Sequence, residues 1–352
     1  MASSEQVYDC SVPMTDDDNT YVYEKRVDPE LLGSFKKNLD REEFLESLNA
    51  KLVVHADAEY ENLEETMPTL YVVGAPRSGT TLLHQALISG LDLGYVDNLV
   101  AAFWRAPTYG LGLSQSLGIA GQYSTFKSSF GTTRSAWEPH EFGYFWNDHL
   151  RYPDLAEQNN GHGKTIDWDY LRRILLNMAD ISGRPLVFKA MLLVWHLEEM
   201  LDKMPLTCYV WIRRDPRQVA LSLLKMRQAL FGSVDYWVSL KPKKAVEIGG
   251  SDPVRQVVAQ ALILEGTIQE SVARIGEDHV VELEYDAFCH DPKSAIDSVR
   301  SLLAAKGVEV SERSGKLESF NPRRTSDLEV EYGARVDEAL ESVSELLKVV
   351  ST

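Results

Sequence analysis

Apolar positions along the chain follow two rhythms. Between residues 30 and 65, Leu31, Leu32, Phe35, Leu39, Phe44, Leu45, Leu48 and Leu52 recur at roughly helical spacing, which predicts helices filling that stretch. Residues 1–29 before it are polar, with Thr15-Asp16-Asp17-Asp18-Asn19-Thr20 at their centre, and read as a loose or docked arm. From residue 69 onward, short apolar runs of strand length alternate with helical patterns. Strands are predicted at 70–74, 92–96, 185–189, 207–212 and 279–284. Helices are predicted at 80–90, 195–204, 216–230, 254–275, 292–306 and 334–349, with an aromatic-rich helical region over 97–181. Such alternation predicts an α/β fold in which a central parallel β-sheet is flanked by helices, preceded by a helical N-terminal extension. The organisation expected is an acidic arm and helical lead-in over 1–68 and one α/β domain over 69–352. Residues 231–253 interrupt the rhythm with Lys241-Pro242-Lys243-Lys244 and Gly249-Gly250-Ser251-Asp252-Pro253, a composition that suits a solvated loop or a substrate lid.

The most specific signal lies at the first of these strands. Residues 70–83 read Leu-Tyr-Val-Val-Gly-Ala-Pro-Arg-Ser-Gly-Thr-Thr-Leu-Leu: an apolar strand, a glycine-bounded turn, two threonines and a helix start. Gly74 and Gly79 hold the spacing of a phosphate-cradling loop, but Thr80 stands where the nucleoside-triphosphate version needs its lysine. Such a loop aims backbone N–H groups and the positive end of a helix dipole at an anion, so a phosphate or sulfate belongs there. Without the lysine, γ-phosphate and magnesium chemistry is disfavoured. Arg77 offers instead a permanent, forked positive charge inside the loop.

A second segment, residues 206–222, reads Leu-Thr-Cys-Tyr-Val-Trp-Ile-Arg-Arg-Asp-Pro-Arg-Gln-Val-Ala-Leu-Ser, another buried-type strand running into a helix. An arginine at the strand end and a serine about two turns down the next helix can converge on one phosphate from two sides. Gly74-Ala75-Pro76-Arg77-Ser78-Gly79-Thr80-Thr81 resembles the 5′-phosphosulfate loop of the sulfotransferase family, in its Pro-Arg-Ser-Gly-Thr-Thr branch. The second segment resembles that family's 3′-phosphate motif, with Arg214 and Ser222 at the matching spacing. Glu284-Tyr285-Asp286-Ala287-Phe288-Cys289-His290-Asp291-Pro292, after the strand-like Val280-Val281-Glu282-Leu283, resembles the family's segment near the adenine. The resemblance covers roughly residues 70–300. It implies a P-loop-NTPase-like sulfotransferase fold and transfer of a sulfuryl group from 3′-phosphoadenosine 5′-phosphosulfate (PAPS) to a hydroxyl or amine. Adenosine 3′,5′-bisphosphate is the implied product, and no metal is implied. Pro76, Arg77, Ser78, Gly79, Thr80, Thr81, Arg214, Ser222 and Tyr285 are the donor-binding residues that the resemblance carries over.

Composition narrows the remaining choices. The formal charge is −17, and residues 1–69 hold −11 of it, leaving −6 for the body. An acidic chain attracts DNA, RNA and anionic membranes poorly, so a small or medium-sized molecule is the acceptor expected, without nucleic-acid or membrane partners. No apolar stretch approaches the length needed to cross a bilayer, and the amino terminus lacks the basic start and apolar core of a secretory signal. The three cysteines, Cys10, Cys208 and Cys289, are too few and scattered for a disulfide framework or metal cluster. Together these features lead to the expectation of a cytoplasmic protein.

Sulfuryl transfer needs the reactants held in line, charge stabilised on the departing phosphate oxygen, and the acceptor's proton removed. The loop suits the first demand. Arg77 suits the second, standing where many cytosolic members of the family carry a lysine. For the third, residues 137–146, Trp-Glu-Pro-His-Glu-Phe-Gly-Tyr-Phe-Trp, gather two carboxylates and a histidine around Pro139, which is expected to start a helix. Glu141, His140 and Glu138 all qualify. Glu141 comes first, because family members with the arginine loop often have a glutamate in a comparable segment. Lys189, at the end of Pro185-Leu186-Val187-Phe188, falls where the family often has a lysine reaching the donor or leaving group. Arg213 and Arg217 flank Arg214, one of them able to support the 3′-phosphate and the other able to pair with Asp215. Arg323 and Arg324 could close over the nucleotide from the carboxy-terminal segment. Leu82 follows the threonine pair where the hormone- and phenol-conjugating branch has tryptophan, so the partner of the adenine is left open. Two other classes stay in view: a small-molecule kinase on the same fold, which needs the missing loop lysine, and a nucleotide-binding protein without chemistry.

Overall fold

The computed structural model describes residues 31–32, 36–150, 166–313, 317–325 and 327–350; the polar arm expected at 1–29 lies outside them. Five strands, β1 (Leu70–Val73), β2 (Gly94–Tyr95), β3 (Leu186–Lys189), β4 (Cys208–Arg213) and β5 (Val280–Glu284), form one sheet in the order β2-β3-β1-β4-β5. Every pairing is parallel, and Leu70 in β1 lies opposite Val187 on one side and Cys208 on the other. A parallel sheet needs a crossover between strands and must be covered on both faces, which is why β1, β3 and β4 read as nearly unbroken apolar runs.

Alternation along β1 divides the core into two layers. Tyr71 and Val73, with Phe188, Tyr209 and Trp211, pack against Phe145, Trp146, Leu171 and Leu175. Leu70 and Val72, with Val187, Val210 and Ile212, pack against Leu83, Leu87, Phe288 and Val299. Tyr71 anchors the first layer, its ring stacked on Phe188 at 5.7 Å and edge-on to Trp146 at 5.9 Å. Within residues 30–65, expected to be helical, the described element is α1 (Leu39–Glu59), capped by the Asn38 side chain on the Arg41 N–H. It docks through Asn49, fully buried, whose amide donates to the Ala102 carbonyl at 2.8 Å and accepts from the Arg105 N–H at 2.9 Å.

Along the sheet domain follow α2 (Thr80–Gly90), α3 (Pro107–Ser116), α4 (Gly143–Leu150), α5 (Trp168–Ser182), α6 (Leu197–Lys203), α7 (Pro216–Phe231), α8 (Lys243–Gly249), α9 (Pro253–Ile275), α10 (Tyr285–His290), α11 (Pro292–Ala305) and α12 (Glu329–Val350). Helices α7, α9 and α12 share a third apolar cluster built on Val219, Leu223, Val257 and Val336. Among the described residues, no helix is long and apolar enough to cross a membrane.

Three expectations need correction. Pro139 does not start a helix: it bridges Asp97 in extended conformation, the His140 N–H donates to the Val96 carbonyl at 2.8 Å, and Phe142 takes a positive φ of 57° that bars a helical turn until Gly143. Aromatic density in that stretch reports burial, not helix. Residues 231–253 are not a plain loop, since they contain α8 and bury Val238 and Leu240. The carboxy-terminal helix starts at Glu329, five residues before the apolar pattern predicts, because its first turn is held by charge rather than by packing. Glu329 and Asp337 both accept from the Arg217 guanidinium of α7.

His84, on α2, is buried against β3 with its Nε2 unpartnered among the described residues. Burial, and then the nearby Lys189 charge, push its pKa down to about 3. Above about pH 6.5 the imidazole is neutral whether the chain is folded or not. Below that, the unfolded chain takes up a proton that the folded chain refuses, so stability falls as pH falls toward the folded value. The urea midpoint should therefore drop between about pH 7 and about pH 4, and His84→Gln should flatten part of that slope. An unchanged slope in the variant would place the ring in solvent.

Candidate active site

All the chemistry-bearing motifs stand at the carboxyl ends of the strands, where a parallel sheet opens a crevice. The loop after β1 turns back tightly. A Cβ on Gly74 would lie 2.5 Å from Ser78 Oγ and 2.6 Å from the Ile212 carbonyl oxygen, so no side chain fits there. Gly79 caps α2 at a φ of 109°, with the Tyr285 ring of α10 so close that a Cβ would meet it at 2.5 Å. Between them Arg77 takes a left-handed φ of 71°, which costs a non-glycine residue on the order of 1 kcal/mol.

Two contacts hold Arg77 in that conformation. Its carbonyl accepts from the Arg214 guanidinium at 2.8 Å, and its own Nε donates to Ser222 Oγ at 3.1 Å. Arg214 also stacks over Tyr285, 4.5 Å from the ring centroid, and donates to the Arg323 carbonyl, while the Arg323 N–H donates to the Tyr285 hydroxyl at 3.1 Å. The loop motif, the strand-end arginine, the downstream serine and the tyrosine are thus one hydrogen-bonded unit.

Its charge is unbalanced. Arg213 is spent on Glu265 and Glu282, Arg217 on Glu329 and Asp337, and Arg324 on Asp286. Neither Arg213 nor Arg217 reaches the loop, and Arg217 meets Asp215 only through its backbone N–H. Arg77, Arg214 and Arg323, by contrast, line a cavity of about 560 Å³ with no ion pair to a carboxylate among the described residues. Burial, and then the charges of Arg214 and Arg323, lower the Arg77 pKa to about 10, and burial lowers that of Arg214. Both remain cationic at neutral pH. Three such guanidiniums beside a helix N-terminus make a site for a polyanion.

Across the cavity, Lys189 at the end of β3 holds Glu141 Oε2 at 2.9 Å; the lysine side chain is 7% exposed and the carboxylate 39%, so the carboxylate is the member open to a ligand. Gly131, at a φ of 91°, lies over this pair, since a Cβ on it would come within 3.4 Å of Lys189 Nζ and 3.6 Å of Thr81 Oγ1. Pro76, Arg77, Gly79, Thr80, Thr81, Glu141, Lys189, Arg214 and Tyr285 all face this one space. Ser78 is buried beneath the loop with its hydroxyl unpartnered among the described residues, and Ser222 stands one layer behind Arg77.

The other two base candidates are turned away from the wall. His140 Nδ1 accepts from the Phe142 N–H at 2.8 Å, which places the ring proton on Nε2, and burial lowers its pKa to about 4. Glu138 is buried and accepts from Ser124 Oγ at 2.7 Å, Gln85 Nε2 at 3.0 Å and both the N–H and hydroxyl of Thr125. Burial alone would raise its pKa, but these bonds outweigh it and hold the carboxyl below its ordinary value.

Some of the wall carries no sequence signal. Phe130 lies 5.4 Å under the Arg77 guanidinium from a loop of irregular backbone, and Lys37, just before α1, reaches Tyr144 of α4. Met226 was within reach of pattern reasoning, because it follows Ser222 by one turn of α7 and so shares its face.

A family model described as the sulfotransferase family matches residues 68–312. No curated protein sequence matches the chain. Among solved structures it is similar to a sulfotransferase of Mycobacterium tuberculosis, at 14% identity and a TM-score of 0.49 over 86% of this chain and 85% of that one. A sulfotransferase of Mycobacterium avium is similar at 16% identity and a TM-score of 0.45, covering 91% and 89%. One from Alicyclobacillus acidocaldarius gives 14% and 0.38, covering 80% and 96%. The family match takes in the sheet, the anion loop and the strand-end arginine together, and the chain belongs to the sulfotransferase family.

Proposed function

We propose that the protein transfers a sulfuryl group from 3′-phosphoadenosine 5′-phosphosulfate to a hydroxyl or amine of a small or medium-sized acceptor by in-line displacement. The observation that carries this reading is the meeting of three arginines, without ion-pair partners among the described residues, with a lysine-free loop at a helix N-terminus, beside an accessible carboxylate. A donor with phosphates at both ends of one ribose fits this arrangement. Charge is supplied at two places, the loop and the Arg214–Arg323 side, and the buried Ser78 hydroxyl has no other partner among the described residues.

When bound, the donor supplies a sulfuryl group already joined to a good leaving group, so the protein's work is placement and charge stabilisation. Loop N–H groups, Thr80 and Thr81 hold the 5′ end. Arg214 and the hydroxyl hydrogen of Ser222 serve the 3′-phosphate, and Arg77, tied to both, keeps the two ends at a fixed separation while its remaining N–H groups face the cavity. Arg77 and Lys189 together stabilise negative charge on the departing oxygen, and Lys189 also orients Glu141. Glu141 accepts the acceptor's proton, a role for which His140 Nδ1 and the Glu138 oxygens are already occupied. No metal enters this scheme.

Calorimetry without magnesium should show adenosine 3′,5′-bisphosphate binding, and a clear preference for ATP with magnesium would favour a kinase instead. Arg214→Ala should weaken that binding by about 1.5–3 kcal/mol, the range for a charge-assisted contact; an unchanged affinity would take Arg214 out of the site. Glu141→Gln should lower turnover by roughly 100-fold while leaving donor affinity intact. Near-normal turnover would return the base role to His140 or Glu138.

A further inference from the structure

With the loop, Arg214, Arg323 and Tyr285 assigned to the donor, much of the remaining wall is apolar. Met191 and Leu192 come from the 3-10 turn after β3, Met226 from α7 and Leu240 from the segment before α8. Lys37, Gln85, Ser128, Thr132 and Tyr144 also line the cavity, and two further polar side chains accompany these four apolar ones. The Asn147 carboxamide and the Ser239 hydroxyl both face this space, and neither has a hydrogen-bond partner among the described residues.

Both are held in place by their surroundings. Helix α4 sends Phe145, Trp146 and Leu150 into the core and leaves Gly143, Tyr144 and Asn147 on the cavity side. The segment bearing Ser239 is tied down by Gln260, fully buried, whose amide donates to the Val238 carbonyl at 2.9 Å and to that of Leu240, and by Trp237 Nε1 donating to the Leu240 carbonyl at 3.2 Å. Ser239 itself sits at a φ of 61°, a conformation a non-glycine residue adopts at a cost, and such outliers gather where a ligand is recognised. The ammonium on this side, Lys37, lies 3.6 Å from Glu42, which also accepts from the Tyr144 hydroxyl. The acceptor wall therefore offers neutral polar groups on an apolar ground.

Resting on the sulfotransfer reading, we infer that the acceptor is a mostly apolar alcohol carrying a second, uncharged hydrogen-bonding group, which Asn147 and Ser239 receive. A sugar would press hydroxyls against the methionines and leucines. A plain alkanol would leave Asn147 and Ser239 cut off from water without partners. The two methionines, unbranched and adaptable, accommodate the apolar body without fixing its shape. In the reaction the acceptor oxygen bonds to sulfur as the bond from sulfur to the donor's phosphate oxygen breaks; that oxygen keeps the electron pair, and the acceptor's proton goes to Glu141.

The test compares straight-chain 1-alkanols of about six to twelve carbons with α,ω-diols of the same lengths, with glucose as a polar control, following release of adenosine 3′,5′-bisphosphate. The best diol should exceed its matching alkanol by at least about tenfold in kcat/KM. Asn147→Leu should bring that ratio close to one. Ser239→Gly should lower it while folding at least as well as the parent, because glycine accepts the positive φ without strain. Calorimetric binding of adenosine 3′,5′-bisphosphate to the parent and both variants separates the two levels of the reading. Intact donor binding with no diol preference, a preference for glucose, or a ratio unmoved by both substitutions overturns the acceptor class alone. Loss of donor binding by the parent protein overturns the donor assignment with it.

Discussion

The hydrogen bond from the Arg214 guanidinium to the Arg77 carbonyl joins residues 137 positions apart and makes one site out of two strand ends. β1 and β4 are already neighbours in the sheet, so this bond does not create their proximity; it fixes the loop of one against the end of the other. The consequence reaches three more groups. Arg77 is held in a left-handed conformation it would not choose, Ser222 is engaged by its Nε, and Tyr285 is clasped between Arg214 and Gly79. The local rigidity comes from these few polar contacts, set on a sheet whose apolar layers hold the strand ends still.

Electrostatics explains why the rigidity is directed at a ligand. Six arginines lie around the ends of β4, β5 and the carboxy-terminal segment, and three of them, Arg213, Arg217 and Arg324, meet carboxylates in ion pairs. Those three tie elements together: β4 to α9 and β5, α7 to α12, and the 317–325 segment to α10. The other three line the cavity without such partners among the described residues, and burial, followed by their crowding, depresses the pKa of Arg77. Like charges held close in a partly desolvated cavity oppose folding until an anion arrives, so ligand binding and stability are linked.

Much of this was legible in the residues. The apolar runs at 70–74, 185–189 and 207–212 read as covered strands, and the Gly74–Gly79 spacing marked the tight turn that leads from β1 into α2. What failed, failed for identifiable reasons. Pro139 carried a helix-start signal that lost to a tertiary bridge with Asp97. Glu141 ranked ahead of Glu138 and His140 only through the family resemblance, because neighbouring side chains share composition while pointing in different directions; the hydrogen bonds of Glu138 and His140 add a physical reason to set Glu141 apart. Phe130 and Gly131 were invisible, since an irregular backbone with positive φ values at Phe126, Phe130 and Gly131 has no period to detect.

The family match stops at residue 312, yet Arg323 lies beyond it and contributes its main chain to both Arg214 and Tyr285. The Arg214–Tyr285 end of the cavity is therefore finished by a stretch that the family match does not include. Variation in that tail among otherwise similar chains would retune how firmly the cavity grips an anion, without altering a single residue of the motifs by which the family is recognised.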